Sequence, residues 1–247
     1  VELCGVSKAN SSVDYAMLEY CIREDLKLKR PRLMAVLDPI KLVIDNYPEG
    51  EVEYLEAPNN MENEKLGTRK IPFGRELYIE REDFMVDPPK KYKRMFPGTE
   101  VRLMNAYFVT CTGFEKDEDG KVTVVHCTYD PESRGGNSPD GRKVRGTIHW
   151  VSAADAVKAQ VRLYENIIDE EKGVYNEDGS LNLNPNSLTV LDNCYVEPSL
   201  LKAEKYDSFQ FVRNGFFCVD AKDSTSDHPV FNRIVSLKSS YKLPTQA

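Results

Sequence analysis

The residues best suited to binding chemistry are basic and lie close together at positions 90–107, KKYKRMFPGTEVRLMNAY. The basic residues of this stretch are Lys90, Lys91, Lys93, Arg94 and Arg102. Lysine and arginine donate hydrogen bonds to phosphates and base edges, and an aromatic ring such as that of Tyr92 can carry an unstacked base. The alternation of Val101, Arg102 and Leu103 predicts a basic turn followed by a half-buried strand. On composition alone, this stretch is either a nucleic-acid surface or an ordinary solvated face.

A second candidate stretch is SFQFVRNGFF at positions 208–217. In a strand, Phe209 and Phe211 share one face, so Gln210 projects from the other face, and Arg213 enters an Asn-Gly turn. Glutamine and arginine side chains can both make paired hydrogen bonds to the edge of a base. These two residues are therefore candidate readers of unpaired nucleotides, with an ordinary hairpin exterior as the equally open alternative.

Other kinds of chemistry find little support in the sequence. The histidines His126, His149 and His228 are scattered, and the six cysteines contain no C-x-x-C pair, so no metal site is predicted. Neither a phosphate-binding glycine loop nor a G-x-S-x-G nucleophile motif is present. We therefore expect no catalytic residue in this chain and reduced thiols in a cytoplasmic protein.

Charge is distributed unevenly along the 247 residues, whose formal net charge is −7. Such a charge repels polyanions in general. Basic residues nevertheless gather at 27–32, 69–75, 90–102 and 142–145, and acidic residues gather at 115–119 and 169–171. This segregation favours recognition of one RNA over non-specific binding. No apolar run approaches the length of about 18 residues needed to span a membrane.

The elements that must position these residues are mostly strands. Residues 11–26 have helical spacing with Ser11 or Ser12 as the cap, and from Arg32 onward short β-branched runs alternate with turns. Asp119-Gly120 predicts a type I′ hairpin, and residues 153–168 are interpreted as a short helix followed by a strand. Repeated hairpin signals favour antiparallel sheets, and closing such sheets into barrels removes their exposed edges.

Several blocks together resemble glutaminyl-tRNA synthetases of the bacterial type, and they occur in the order found in that family. These blocks are CIREDL, RPRLMAVLDPIKLVIDNY, KKYKRMFPGTEVRLMNAY, CTYD, DGRKVRGTIHWVSA, EPSL, FQFVRNGFFCVD and PVFNRIVSLK. The resemblance implies a mainly β fold of two six-stranded antiparallel β-barrels with exchanged strands, similar to a 5S rRNA-binding ribosomal protein and preceded by a short helical segment. The implied divisions are 1–28 for the end of a helical subdomain, 29–155 for the first barrel and 156–247 for the second.

The same resemblance implies the C-terminal, anticodon-binding region of a class I aminoacyl-tRNA synthetase that ligates glutamine to tRNA-Gln. The HIGH-type and KMSKS-type motifs, which serve ATP in that family, do not occur here. This chain is therefore expected to bind tRNA-Gln as a cytoplasmic monomer without any cofactor. ATP with Mg²⁺ would belong to the missing catalytic domain, its partner in the same polypeptide. The alternatives are the barrel region of an archaeal-type glutamyl-tRNA synthetase and a stand-alone RNA-binding barrel.

Carried over residue by residue, the resemblance also implies the anticodon-binding site. Arg32 and Gln210 match the residues that bind the central uridine, and Arg94 matches the residue that binds the third base, guanine. Lys91, Lys93, Arg102 and Arg213 match further anticodon-binding positions, and Lys90 matches a contact to the tRNA backbone. The family pattern V-R-L-R-N-A-Y has Met104 in place of its second arginine here. We therefore expect altered contacts to the first anticodon base.

Overall fold

Within the described residues, one α-helix precedes the strands. The structure is a computed structural model that describes residue 8, residues 14–169 and residues 172–238. Helix α1 spans Tyr15–Lys29, and the carboxylate of Asp14 accepts a hydrogen bond of 2.8 Å from the amide of Ala16. The expected caps Ser11 and Ser12 lie outside the described residues. Leu26 packs against Phe216 and Val235, which fixes the helix to a barrel. Within the described part of the chain, no helix is long and apolar enough to cross a membrane.

Sixteen strands follow the helix in the described residues. They are β1 (Arg32–Leu33), β2 (Ala35–Val36), β3 (Pro39–Ile44), β4 (Val52–Pro58), β5 (Thr68–Gly74), β6 (Glu76–Glu80), β7 (Glu100–Leu103), β8 (Phe108–Lys116), β9 (Val122–Asp130), β10 (Thr147–Ile148), β11 (Trp150–Ser152), β12 (Val157–Tyr164), β13 (Leu188–Val196), β14 (Ser208–Phe211), β15 (Gly215–Val219) and β16 (Val230–Ser236). Short 3₁₀ helices span Glu64–Leu66, Arg81–Asp83, Pro131–Ser133 and Pro198–Lys202.

The strands form two nearly closed barrels of seven strands each and one two-stranded sheet. Barrel 1 has the strand order β10-β7-β8-β9-β3-β6-β11, and barrel 2 has the order β1-β14-β15-β16-β12-β13-β2. Strands β4 and β5 form the separate sheet. Barrel 1 packs around Trp150 and Phe73, and barrel 2 packs around Phe211 and Phe217. The predicted mainly β architecture of two barrels is confirmed.

Each barrel is closed by one short segment whose first half pairs with one strand and whose second half pairs with another. In barrel 2, residues 32–33 pair in parallel with β14, and residues 35–36 pair antiparallel with β13. In barrel 1, residues 147–148 pair in parallel with β7, and residues 150–152 pair antiparallel with β6. The segment 32–36 precedes every strand of barrel 1 but belongs to barrel 2. This is the strand exchange that the resemblance implies.

The strand count and the pairing differ from the expectation of six antiparallel strands. Each closing segment contributes two short strands, which raises the count in each barrel to seven. Both sheets also contain parallel pairs, because β1 with β14, β7 with β10, β3 with β9 and β12 with β16 run in the same direction. The barrels are therefore mixed rather than purely antiparallel.

Three local predictions need correction. The hairpin β8–β9 forms as predicted, but only Gly120 has positive φ (78°), so the turn is not type I′, which needs positive φ at both central residues. Residues 153–168 contain no helix, and β12 occupies their centre. In the Asn-Gly turn, Arg213 rather than the glycine adopts positive φ (67°). Gly215 lies in β15, where a side chain is excluded because a Cβ would come within 2.8 Å of the Val235 carbonyl oxygen.

The two barrels contact each other through stacked and polar groups. Tyr78 of barrel 1 stacks on Tyr195 of barrel 2 with ring centroids 4.2 Å apart. Nε2 of His149, in the closing segment of barrel 1, lies 2.9 Å from the carbonyl oxygen of Ala35, in the closing segment of barrel 2. Both residues are fully buried. The closing segments therefore also join the barrels, and the surface beside this junction carries most of the predicted binding residues.

Candidate nucleic-acid interface

Most of the predicted binding residues line two open cavities. The Gln210 cavity, of about 260 Å³, is lined by Arg32, Met34, Pro58, Met61, Arg69, Met104, Asn105, Gln210, Val212, Arg213 and Leu237. The lysine cavity, of about 850 Å³, is lined by Lys90, Lys91, Tyr92, Lys93, Arg94, Phe96, Thr99, Glu100, Val101, Lys143, Val144, Arg145 and Gly146. The fold thus divides the predicted residues into two groups, and Arg102 lines neither cavity.

Arg32 and Gln210 stand side by side although they are far apart in sequence. They are register partners in the parallel pair of β1 and β14, so the closing segment of barrel 2 brings them together. A guanidinium NH2 of Arg32 donates to Glu62 at 2.6 Å, and this hydrogen bond is the main cause that holds the pKa of the exposed Glu62 carboxyl below its usual range. Within the described residues, the buried Nε of Arg32 has no hydrogen-bond partner. One donor of Arg32 therefore remains without a partner beside the cavity.

A single carboxylate connects the two cavities. Asp83 is fully buried, and it accepts two hydrogen bonds from Arg213, at 2.6 and 2.7 Å. Nε of Arg94 lies 3.1 Å from the same carboxylate. Arg213 lines the Gln210 cavity and Arg94 lines the lysine cavity, so Asp83 orients one arginine in each. A paired guanidinium keeps a fixed plane, which suits directional recognition of a base edge.

Glu82, next to Asp83 in the same 3₁₀ helix, makes a different kind of contact. Its carboxylate lies 2.7 Å from Arg94, but its side chain is 68% exposed, whereas that of Asp83 is 0% exposed. Solvent weakens such an exposed pair. An arriving RNA oxygen can therefore replace Glu82 at Arg94 while Asp83 stays in place.

Tyr92 holds the lysine loop against barrel 1. Its hydroxyl donates to the carbonyl oxygen of Glu82 at 2.9 Å, and burial of the ring, followed by the nearby charge of Asp83, raises the pKa of Tyr92 to about 12. Lys90, Lys91 and Lys93 are exposed, and none of them has a carboxylate partner among the described residues. The loop therefore presents three unneutralised ammonium groups at the mouth of the cavity.

Arg102 projects outward from β7, as the alternation predicts, because Val101 and Leu103 are buried. Its guanidinium lies 5.2 Å from the ring centroid of Phe108, and the guanidinium of Arg142 lies 5.0 Å from the same centroid. Arg142 is paired with the carboxylates of Glu100, Asp130 and Asp140. Arg102 forms no ion pair within the described residues, and its buried Nε has no hydrogen-bond partner there.

Met104 lies in the Gln210 cavity, together with Met34 and Met61. The position at which the sequence departs from the family pattern is therefore beside Arg32 and Gln210. Sequence reasoning did not identify Asp83 or Glu62, the carboxylates that pair with the predicted arginines. Isolated acidic residues carry no motif, and only the fold shows which arginines they face.

The chain belongs to the anticodon-binding domains of class I tRNA synthetases for glutamate and glutamine. Residues 31–130 and residues 147–220 match two families that carry this description, "tRNA synthetases class I (E and Q), anti-codon binding domain". Together these two regions include both closing segments and all the predicted binding residues, and the segment 143–146 of the lysine cavity lies between them.

Within this class, the chain is similar to proteins named glutamine-tRNA ligase. It is 53% identical to the protein of Clostridium kluyveri over 97% of the chain and 54% identical to that of Clostridium perfringens over 97% of the chain. It is 49% identical to that of Vibrio vulnificus over 96% of the chain. The chain spans 43%, 43% and 42% of the length of these three relatives.

Proposed function

We propose that this chain reads the anticodon of tRNA-Gln as part of a glutamine-tRNA ligase. Its relatives carry that name, and the chain covers 43% of the length of the first two. In this proposal, the rest of the polypeptide attaches glutamine to the tRNA with ATP and Mg²⁺, and this chain binds no cofactor. The protein acts in the cytoplasm as a monomer.

The observation that carries the proposal is the pairing of Arg32 with Gln210 across β1 and β14. A glutamine amide has one acceptor and two donors, which match the donor and acceptor edge of uracil. Arginine adds donors for a uracil oxygen or a neighbouring phosphate. An unpaired base that enters the Gln210 cavity can therefore be recognised on its hydrogen-bonding edge, as single-stranded RNA usually is. We assign the central uridine of the anticodon to this cavity.

Arg94 is assigned to the third base, guanine. A guanidinium can donate two parallel hydrogen bonds to O6 and N7 of guanine. Asp83 supports this geometry because it holds Nε of Arg94 at 3.1 Å, whereas the carboxylate partner of NH1 is the exposed Glu82, which a base can replace. Lys91 and Lys93 flank this site, and Arg102 and Arg213 complete the contacts to the anticodon nucleotides. Lys90 holds the tRNA backbone.

Replacing Arg94 tests the assignment of the third base. Arg94→Ala should weaken binding of tRNA-Gln by about 1 to 3 kcal/mol and relax the preference for guanine. Arg94→Lys is the matched control that keeps the charge but loses the planar fork, so it should recover affinity without recovering the preference. The measurement is the affinity for tRNA-Gln and for a tRNA-Gln altered at the third anticodon base. A preference that survives in Arg94→Ala refutes the assignment.

Lys90→Ala separates base reading from charge. A lysine that touches only phosphate carries no sequence information. Its loss should therefore weaken the binding of all tRNAs alike, and it should reduce the slope of log affinity against log salt by the share of about one phosphate contact. A change in base preference in Lys90→Ala would reverse the roles that we assign to Lys90 and Arg94.

A further inference from the structure

The lysine cavity has a second basic wall that the anticodon assignments do not use. One wall is the loop that contains Lys90, Lys91, Lys93 and Arg94, and the other is the segment 143–146, which contributes Lys143 and Arg145. Lys143 and Arg145 are exposed. Neither side chain forms an ion pair or a hydrogen bond within residues 14–169 and 172–238. Two free cations thus face the loop across the cavity.

The segment that carries these cations is fixed at both ends. Before it, Arg142 makes two hydrogen bonds to Glu100, at 2.9 and 2.7 Å, and a third to Asp130 at 2.5 Å. After it, the carbonyl oxygen of Gly146 accepts a hydrogen bond of 2.8 Å from the amide of Arg102, and β10 begins. The carboxylates around Arg142 are therefore occupied, and Lys143 and Arg145 lie on a short bridge between two anchors.

Gly146 explains how the two walls come together. A Cβ at this position would lie 2.3 Å from the carbonyl oxygen of Lys93 and 3.3 Å from Cγ1 of Val101. Only glycine permits such a close approach of two backbones. The segment 143–146 is therefore pressed directly against the lysine loop, and its two cations are held at the same cavity rather than elsewhere on the barrel.

The charge of this cavity is opposite to that of the chain. Six basic residues line it, and its acidic lining residue, Glu100, is already paired with Arg142. The chain as a whole has a formal net charge of −7. A cleft lined by one sign of charge concentrates ligands of the opposite sign. Arg94 is oriented by carboxylates, whereas Lys143 and Arg145 have no partner among the described residues, so an ammonium and a guanidinium are both left to pair with phosphate.

We propose that Lys143 and Arg145 form a second phosphate-binding wall, which holds backbone phosphates of the RNA beside the nucleotide bound by Arg94. This inference rests on the proposed function, since it takes the RNA to be the anticodon loop of tRNA-Gln. It adds a phosphate site, on the segment just before the closing segment of barrel 1, to the base sites of the two cavities. The ribose-phosphate chain passes between the two basic walls.

The test is the salt dependence of tRNA-Gln binding by the variant Lys143→Ala/Arg145→Ala. In single-stranded RNA each lost phosphate contact reduces the slope of log affinity against log salt by about 0.7, so the double variant should lose about 1.4. The exchange Lys143→Arg/Arg145→Lys keeps both charges and should keep the slope. Lys202→Ala/Lys205→Ala removes two exposed lysines of barrel 2 that lie outside the cavity, and it should also leave the slope unchanged.

The same titrations separate this inference from the proposed function. If the unaltered chain binds tRNA-Gln and an anticodon-swapped tRNA-Gln equally, the proposed function fails. If the unaltered chain discriminates between them but the Lys143→Ala/Arg145→Ala variant keeps its slope, the second phosphate wall alone is wrong. An equal loss of slope in Lys202→Ala/Lys205→Ala would also overturn the inference, because the effect would then come from net charge.

Discussion

At the residue scale, the arrangement of the interface depends on the carboxylate of Asp83. It is fully buried between arginines that belong to different barrels, Arg94 and Arg213. Removing one member of a buried ion pair leaves the other charge without compensation, which costs much more than the pair contributes. Arg213 also adopts positive φ, an unfavourable conformation for arginine that the paired carboxylate stabilises. Asp83 is therefore a positioning residue that needs no contact with RNA.

Replacement of Asp83 should therefore affect both stability and selectivity. Asp83→Asn should lower the free energy of unfolding by about 3 to 5 kcal/mol in urea denaturation. In binding measurements it should also reduce the preference for guanine at the third base, because Arg94 loses its orientation. The control is the neighbouring variant Glu82→Gln. Because this variant loses only an exposed ion pair, it should lower the free energy of unfolding by less than about 1 kcal/mol. Equal losses of stability in the two variants would show that Asp83 has no special role.

Met104 is the residue at which we expect recognition of the first anticodon base to differ. It lines the Gln210 cavity beside Arg32. Met104→Arg should change the ratio of affinities for the two tRNA-Gln isoacceptors, which carry C or U at the first position, because it adds hydrogen-bond donors for a base oxygen. Met104→Leu conserves volume and apolar character and should leave that ratio unchanged. An unchanged ratio in Met104→Arg would contradict the expectation.

At the element scale, the closing segments explain much of what the sequence could and could not predict. The run LMAVL is one of the short runs after Arg32 from which strands are predicted, and it contributes to β1 and β2. Leu33 and Ala35 enter the core of barrel 2, whereas Met34 and Val36 enter the core of barrel 1. A strand that is buried on both faces shows no alternation. The sequence therefore indicated burial but not which two barrels the segment joins, since that depends on partners distant in sequence.

Strand β12 shows how the tertiary environment overrides a local pattern. The spacing of Val157, Val161 and Tyr164 is compatible with a helix, which led to the incorrect prediction of a helix after position 153. In the structure, β12 lies between β13 and β16, and Ala159 and Val161 point into the core. Two neighbouring strands satisfy its backbone groups, which outweighs a weak helical preference.

The candidate binding residues could be named from the sequence to the extent that they stood in recognisable blocks, and their roles stay predictions. Arg32, Arg94 and Gln210 were named from the resemblance, and the structure places them on the cavities. Glu62 and Asp83 were not predicted, because the partner of an arginine depends on the fold. Lys143 and Arg145 were noticed as part of a basic cluster. Only the close approach at Gly146 shows that they face the lysine loop.

His126 ties three neighbouring strands of barrel 1 together. Its Nδ1 lies 3.0 Å from Asp45, which follows β3, and its Nε2 lies 3.1 Å from Glu115 of β8. The hydrogen bond to Asp45 is the main cause that raises the pKa of His126 above its usual value, and Glu115 acts in the same direction. A raised pKa in the folded state means that the charged imidazole stabilises the fold at low pH.

This arrangement predicts a pH-dependent contribution to stability. The contribution is fully present below the pKa of an unfolded histidine, about 6.5, and it is lost as pH rises through the higher pKa of the folded state. His126→Gln should therefore destabilise the protein more at pH 6 than at pH 9 in urea denaturation. The control His228→Gln alters an exposed residue and should change stability by less than about 0.5 kcal/mol at both pH values. A larger effect of His126→Gln at pH 9 would contradict the prediction.

At the scale of the whole molecule, the two barrels act as one scaffold for a divided binding surface. The segment 32–36 completes barrel 2, and His149 of barrel 1 contacts Ala35 in that segment. Asp83 of barrel 1 holds Arg213 of barrel 2. A relative movement of the barrels would separate Asp83 from Arg213 and change the distance between the two cavities. The proposed reading of two adjacent bases therefore requires both barrels in this arrangement.

The most direct test of this account is the affinity of the unaltered chain for three RNAs at one fixed salt concentration. These are tRNA-Gln, tRNA-Glu and a tRNA-Gln whose central and third anticodon bases have been exchanged for other bases. Because each altered base loses its specific hydrogen bonds, tRNA-Gln should bind more tightly than the swapped tRNA by about 1 to 3 kcal/mol per base, and more tightly than tRNA-Glu. Equal affinity for all three would contradict anticodon reading by this chain.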